Sequence, residues 1–490
     1  MNISRKLVIF HMIIKNWFIR LGGAVFFIFL ARQLEMDTLG LVSLYVLIFN
    51  AGELLVENGI SDALASNRIK TSRFGFIVAA FIATVISVLA AISWHFSEYL
   101  QINVPGYAIG LFIFYCYLSS YSFVIQGILR RESNFVVLAK RSAYSVTSAF
   151  IFATVYFFYS PGADAMLCYF TISALMTVVL FLNEHRKLVL SGSEEVEKEK
   201  NPRSALMHVA RFFSFKLSSF ISGRSLELFV FIKFGPIGLA TLVIGSRIYN
   251  VFGYFIKSVL HDYVFDINNV RHDTSDIESQ NSIQRTILFT TMFAAPVFLG
   301  CAAIAGPLLT LLVGSDKADI AEGFLQIFCV LGLIEVIQFI LFTNILSSSE
   351  SLLPVKFQLF RASLLLCVFL LADTAVLANY VVISVILTGS VPLLFILFSL
   401  VRRHVLSVEN LWPFAMYLIS AGIMTVTVAV AENYLSTINF LAKSDGGNLI
   451  VLLLVTMLGV IVYPLLNLLV NRQDFKAQLS VILKKKRRAI

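Results

Sequence analysis

Apolar stretches of roughly 20 residues recur along this chain from Val8 to Val470, with only short polar segments between them. A helix of about 20 apolar residues crosses the ~30 Å of hydrocarbon in a bilayer. The composition supports that solvent: 58% of the 490 residues are hydrophobic and only 14% are charged, against roughly 25% charged in soluble domains. A water-facing globule of this length would lack the polar surface to cover itself. The sequence therefore predicts an all-α polytopic membrane protein. It excludes a soluble domain on a single membrane anchor.

The hydropathy divides into about fourteen spans, at 12–33, 39–61, 74–96, 106–129, 142–159, 163–183, 212–233, 237–260, 286–313, 322–346, 357–374, 378–400, 412–431 and 448–470. Basic residues alternate with the crossings. One set of connections holds Arg5 and Lys6, Arg68 to Arg73, Arg130 to Arg141, Arg186 to Arg203, Arg271 and Arg285, Lys356 and Arg361, Arg402 and Arg403, and Lys484 to Arg488. The intervening set, HFSEYLQINVP, YSPGADA, GSDKAD, DTAVLAN and ENYLSTINFLAKSDGG, is nearly free of Lys and Arg. Lys and Arg accumulate on the cytoplasmic side, so both termini are expected there. The formal net charge of +9 is explained by this orientation, and no nucleic-acid partner is expected. The start, MNISRKLVIFHMIIKNWF, carries no small-residue cleavage site and is read as part of the mature chain.

The longest polar stretch, NEHRKLVLSGSEEVEKEKNPRSALMHVAR, leaves six spans before it and eight after. Its Glu/Lys mixture cannot bury a core and reads as a connector. The predicted organisation is a six-helix lobe over 1–183, a cytoplasmic linker at 184–211, a second six-helix lobe over 212–400, two further helices over 401–470 and a basic tail at 471–490. The halves echo each other. LARQLEMDTLGLVSL (30–44) matches FIKFGPIGLATL (231–242), and ILRRESNFVVLAK (128–140) pairs with ILSSSESLLPVK (345–356). Six spans return the chain to its starting side, so the repeats are parallel, about an axis along the membrane normal.

Four stretches carry a family resemblance: FIRLGGAVFFIFLARQLEMDTLGLVSL, QGILRRESNFVVLAKRS, SGRSLELFVFIKFGPIGLATLVIGSRI and GPLLTLLVGSDKADIAEGFLQIFCVLGLI. With the span count and the central linker, they resemble the Wzx-type polysaccharide flippases of the multidrug/oligosaccharidyl-lipid/polysaccharide exporter superfamily. The resemblance implies a lipid-linked oligosaccharide, usually on undecaprenyl diphosphate, moved from the inner to the outer leaflet of the bacterial cytoplasmic membrane by alternating access. It implies membrane lipids and other polysaccharide assembly proteins as partners. Two relatives compete, the lipid II flippase and the multidrug/cation antiporter branch. A rival of another class is a membrane glycosyl polymerase or ligase. Short external segments and the lack of a nucleophile, metal or phosphate-loop motif argue against an enzyme and against a cofactor.

An ionisable group at span depth costs roughly 2.5–3.5 kcal/mol on insertion scales and marks a functional site by default. Arg32, Lys233 and Lys257 lie near span ends, where long side chains reach the headgroups. Arg20, Arg224 and Arg247 lie deeper, and Lys216 is one turn inside its span. These four are the candidate substrate-binding residues, facing the diphosphate. Glu227 is three residues from Arg224, so the pair can neutralise itself on one helix face. Arg247 has no acidic residue in its span, which favours an aqueous cavity. Glu53, Glu57, Glu227 and Glu335 are the candidate coupling residues, for H+ or Na+. Glu53 and Glu57 share a face and can partner Arg20, whereas Glu335 has no evident partner and is the first choice.

Gly22, Gly23, Gly223 and Pro296 are expected bend points. The five cysteines, Cys116, Cys168, Cys301, Cys329 and Cys367, all sit in apolar runs without metal-ligand spacing and read as small buried apolar residues. In the tail, Phe475, Leu479, Ile482 and Leu483 at helical spacing beside a basic cluster predict an interfacial helix.

Overall fold

The computed structural model describes residues 21–57, 60–65, 72–97, 105–132, 135–190, 202–270, 276–348, 353–371, 376–402, 411–437, 445–473 and 475–476. Arg20, Asp373, residues 191–201 of the connector and the tail beyond 476 lie outside them. So do the side chains of Lys216 and Lys257. Among the described residues the chain is helical and no strand occurs.

The helices follow the apolar runs in order: α1 (Leu21–Gln33), α2 (Met36–Glu57), α3 (Ile60–Ala65), α4 (Ser72–Ser97), α5 (Gly106–Arg131), α6 (Phe135–Tyr159) and α7 (Asp164–Leu190). They continue with α8 (Pro202–Val270), α9 (Asp276–Ala303), α10 (Ala305–Val313), α11 (Ser315–Ser348) and α12 (Leu353–Leu371). The last three are α13 (Leu377–Arg402), α14 (Leu411–Ser436) and α15 (Asp445–Val470). Among the described residues, ten helical segments are long and apolar enough to cross a membrane, and Leu21–Gln33 and Leu377–Val391 are shorter apolar helices. The second predicted span covers α2 and α3, and residues 58 and 59 between them lie outside the described residues. The ninth divides at Ile304, whose φ of −102° and ψ of 17° separate α9 from α10.

The seventh and eighth predicted spans run together as α8 across a kink at Gly235. Its φ of 71° and ψ of −167° fall in a region that only glycine occupies readily. Pro236 follows with its fixed φ and no N–H, which suits the first turn of the second segment.

The chain splits into two compact units, Met1–Ala240 and Thr241–Ile490. In the first, α5 is central and packs against α2, α3, α4 and α7, while α6 lies along α7. Ile60, Ala63 and Leu64 fill the space between Ala79, Val124 and Ile128. In the second, α9 packs against α11 and α14, α13 against α11 and α12, and α15 against α14 and α10. Met292, Ala295, Tyr417, Met424, Val455 and Tyr463 are buried together there, and Phe475 of the tail joins them. The outer surface is apolar: Phe81, Val155, Leu370, Val426 and Met457 are 63–70% exposed, as lipid-facing residues should be. Cys367 is also exposed, which corrects its reading as buried, while Cys116, Cys301 and Cys329 are buried.

Several hydroxyls in the helices find partners on the preceding turn. Thr84, Ser87, Thr290, Ser384 and Thr388 each donate to the carbonyl four residues earlier, at 2.6–2.9 Å. Pro296 has no N–H to offer Met292, four residues before it, so the helix alone would leave that carbonyl orphaned. The Tyr463 hydroxyl of α15 donates to the Met292 carbonyl at 2.9 Å, within a buried contact. The carbonyl that Pro296 leaves without its helical donor is thus answered by a side chain from another helix.

Candidate functional site

Charged groups at span depth occur in both units. In the second, Glu335 projects from α11 between α8 and α12. One carboxylate oxygen accepts from Arg361 Nη2 at 2.8 Å and the other from the Tyr249 hydroxyl at 2.5 Å. The Arg361 and Glu335 side chains are 12% and 20% exposed, so the pair is largely withdrawn from solvent. Tyr249 is itself buried, stacked on Phe328 with ring centroids 5.9 Å apart and tilted against Phe298. A rigid aromatic donor and a guanidinium therefore hold the carboxylate from two helices.

This arrangement corrects the sequence reading of Glu335 as a residue without an evident partner. It also corrects Arg361, which was counted among the connections. α12 begins at Leu353, so Arg361 is about two turns inside it. The partner was missed because it is 26 positions away in sequence and becomes a neighbour only through packing. The Arg361 Nε is shielded and has no hydrogen-bond partner. Arg247, on the second segment of α8, is partly buried. Its Nε is also shielded without a hydrogen-bond partner, although the residue has other interactions.

In the first unit, Arg224 Nη1 donates to Glu227 Oε1 one turn along α8, the local neutralisation that their spacing allows. Glu227 is buried and Arg224 is 27% exposed. Ser222 and Ser225 beside them have buried hydroxyls without partners. Glu53 of α2 accepts from the Tyr115 hydroxyl of α5 at 3.4 Å. Aromatic rings crowd this region: Phe49 lies 4.9 Å from Tyr115, 5.0 Å from Phe170 and 5.4 Å from Phe112, between ring centroids. Glu57 closes α2, partly buried. Arg20, its expected partner, lies outside the described residues, and the Lys216 side chain is not described.

The tyrosines at Glu335 and Glu53 were not foreseen, since Tyr249 and Tyr115 resemble any other aromatic residue in an apolar run. Among the described residues no group of three or more His, Cys, Asp or Glu side chains could hold a metal ion. What the arrangement offers chemically is charge in a low-dielectric setting: guanidinium groups able to meet an anion, here set against carboxylates.

Comparison with known proteins adds a family and a fold. Residues 29–322 match the model of a family described as polysaccharide biosynthesis proteins. No curated protein matches the sequence. Among solved structures, the lipid II flippase MurJ in an inward closed conformation superposes with a TM-score of 0.72 at 14% identity, over 94% of this chain and 98% of that one. An outward-facing multidrug resistance MATE family transporter of the MOP superfamily gives 0.53 at 15% identity, over 82% and 97%. The MATE transporter ClbM in complex with Rb+ gives 0.51 at 18% identity, over 83% and 96%. At these identities the likeness is one of fold.

Proposed function

The chain belongs to the polysaccharide biosynthesis protein family, and from that premise we propose that it is a flippase for a lipid-linked saccharide. The substrate is an oligosaccharide repeat unit on undecaprenyl diphosphate, carried from the inner to the outer leaflet of a bacterial cytoplasmic membrane by alternating access. The observation that carries this reading is ionised side chains at span depth, represented by the Arg361–Glu335 pair, in a fold similar to that of a lipid II flippase. An apolar scaffold has no need of such groups, and each is costly in hydrocarbon. An anionic diphosphate crossing the bilayer needs them.

In this reading Arg247, Arg224, Arg20 and Lys216 meet the diphosphate, while the polyprenyl tail stays in lipid. Glu335, with Glu53, Glu57 and Glu227, is the coupling group for H+ or Na+. Neutralising Glu335 would release Arg361 to an anion, so the two events are linked through one carboxylate. Both termini are cytoplasmic.

Arg247 provides the test. Arg247→Ala should abolish export of the lipid-linked saccharide while leaving the protein abundant in the membrane. Arg247→Lys should retain part of the activity, because the charge survives and the two-pronged contact to phosphate oxygens does not. Complementation with a membrane immunoblot measures both. Normal export by a well-expressed Arg247→Ala protein would remove this residue from the substrate path.

A further inference from the structure

α11 runs back along α9 and α10, and two contacts fix the register between them. α10 ends at Gly314, whose φ of 93° turns the chain into α11. Near that turn, a Cβ on Gly306 would meet the Glu322 carboxylate at 3.2 Å. Further in, a Cβ on Gly332 would overlap the Phe298 ring at 2.5 Å, so the ring rests on α11 where a side chain is missing. Each step forward along α9 is thus matched by a step back along α11. Three residues after Phe298 is Cys301, and three before Gly332 is Cys329. The register sets them opposite each other, and their thiols lie within hydrogen-bonding reach. Both are buried, at 3% and 0% exposure.

The surroundings decide which chemistry is open to this pair. Thiol–disulfide exchange with a water-soluble partner runs through a thiolate, and a charge at span depth is costly. An apolar oxidant that accepts a proton with each electron leaves no charge behind. Lipid-soluble quinones are oxidants of that class.

We propose that Cys301 and Cys329 are a dithiol that a quinone in the bilayer closes to a disulfide, stapling α9 to α11. Two S–H bonds break and one S–S bond forms, while both protons and both electrons pass to the quinone oxygens and give a hydroquinone. The staple lies one turn from the contact of Phe298 with Gly332. It therefore fastens the two helices whose rings, Phe298 and Phe328, flank Tyr249 and hold its phenol on Glu335. The closed loop runs through α10 and the Gly314 turn, and its closure restricts the unfolded chain. The pair responds to the oxidation state of the lipid phase and not to thiols in water. None of this depends on the substrate proposed above.

The test uses membranes containing the full-length protein, first reduced and then exposed to a fully substituted decylbenzoquinone, which has no ring position open to thiol addition. Free thiols are blocked with N-ethylmaleimide in denaturant, and the thiols released by subsequent reduction are counted with a mass-tagged maleimide. Of the five cysteines, two should carry the tag after oxidation and none in membranes kept reduced, and peptide mapping should place both tags at positions 301 and 329. Cys301→Ala should abolish tagging at Cys329, whereas Cys367→Ala, which removes an exposed cysteine, should leave the result unchanged. The purified oxidised chain should also melt at a higher temperature than the reduced one, and a reductant should remove the difference. An untagged chain after oxidation, tags at a different pair, or a linked form that melts no higher than the reduced form would each overturn the proposal.

Discussion

Glu335 is held by opposite charge on one side and a neutral phenol on the other, and the two contacts should respond differently to substitution. Removing one member of a buried ion pair leaves its partner charged and unpaired, at about 3–5 kcal/mol. Arg361→Ala should therefore lower the thermal stability of the purified protein severely, and Glu335→Gln combined with it should restore much of the loss. Tyr249→Phe removes only a hydrogen bond to a charged group, about 1.5–3 kcal/mol. A melting series in detergent ranks the three. If the double variant is as unstable as Arg361→Ala alone, the pair is not the main contact of either residue. At this scale the sequence was partly legible. Arg224 and Glu227 sit three apart on one helix and meet as that spacing implies, because their encounter is set by local geometry. Arg361 and Glu335 meet through packing of α12 against its neighbours, which no local pattern encodes.

Helices were easier to read than their interruptions. An apolar run is a local signal of the length of the span, and every predicted span has a helical counterpart in the described residues. The break at Ile304 falls inside an apolar run, where hydropathy does not change, and the pair Gly306–Pro307 comes just after it. At Gly235 a Gly–Pro pair is present too, and the kink falls on it. Pro296 is the instructive intermediate: the residue is legible in the sequence, but the donor answering the carbonyl it strands lies on α15. Tyr463→Phe should cost about 1–3 kcal/mol by leaving the Met292 carbonyl buried and unsatisfied. In a Pro296→Ala background the alanine N–H returns to that carbonyl, so the same change should cost less than half as much. A double-mutant cycle by thermal unfolding reads this coupling directly. Equal costs in the two backgrounds would mean that Tyr463 acts by packing alone.

For the whole molecule, the alternation of basic and non-basic connections assigns each one a side. Ser193→Cys and Ala489→Cys should resist a membrane-impermeant thiol reagent in intact cells, whereas Ser315→Cys, at the start of α11, should react above the background of the native cysteines. Labelling at Ser193 or Ala489 would mean that an odd number of crossings separates it from the assumed side. The bond from Tyr463 to Met292 has one more consequence, for descent. A proline at position 296 is tolerable in α9 because a phenol from α15 answers the carbonyl it strands. An ancestor without α14 and α15 would have had to lack that proline or supply another donor. In relatives of this chain, loss of the last hairpin should therefore travel with replacement of Pro296, and the proline becomes a fossil mark of when the hairpin was acquired.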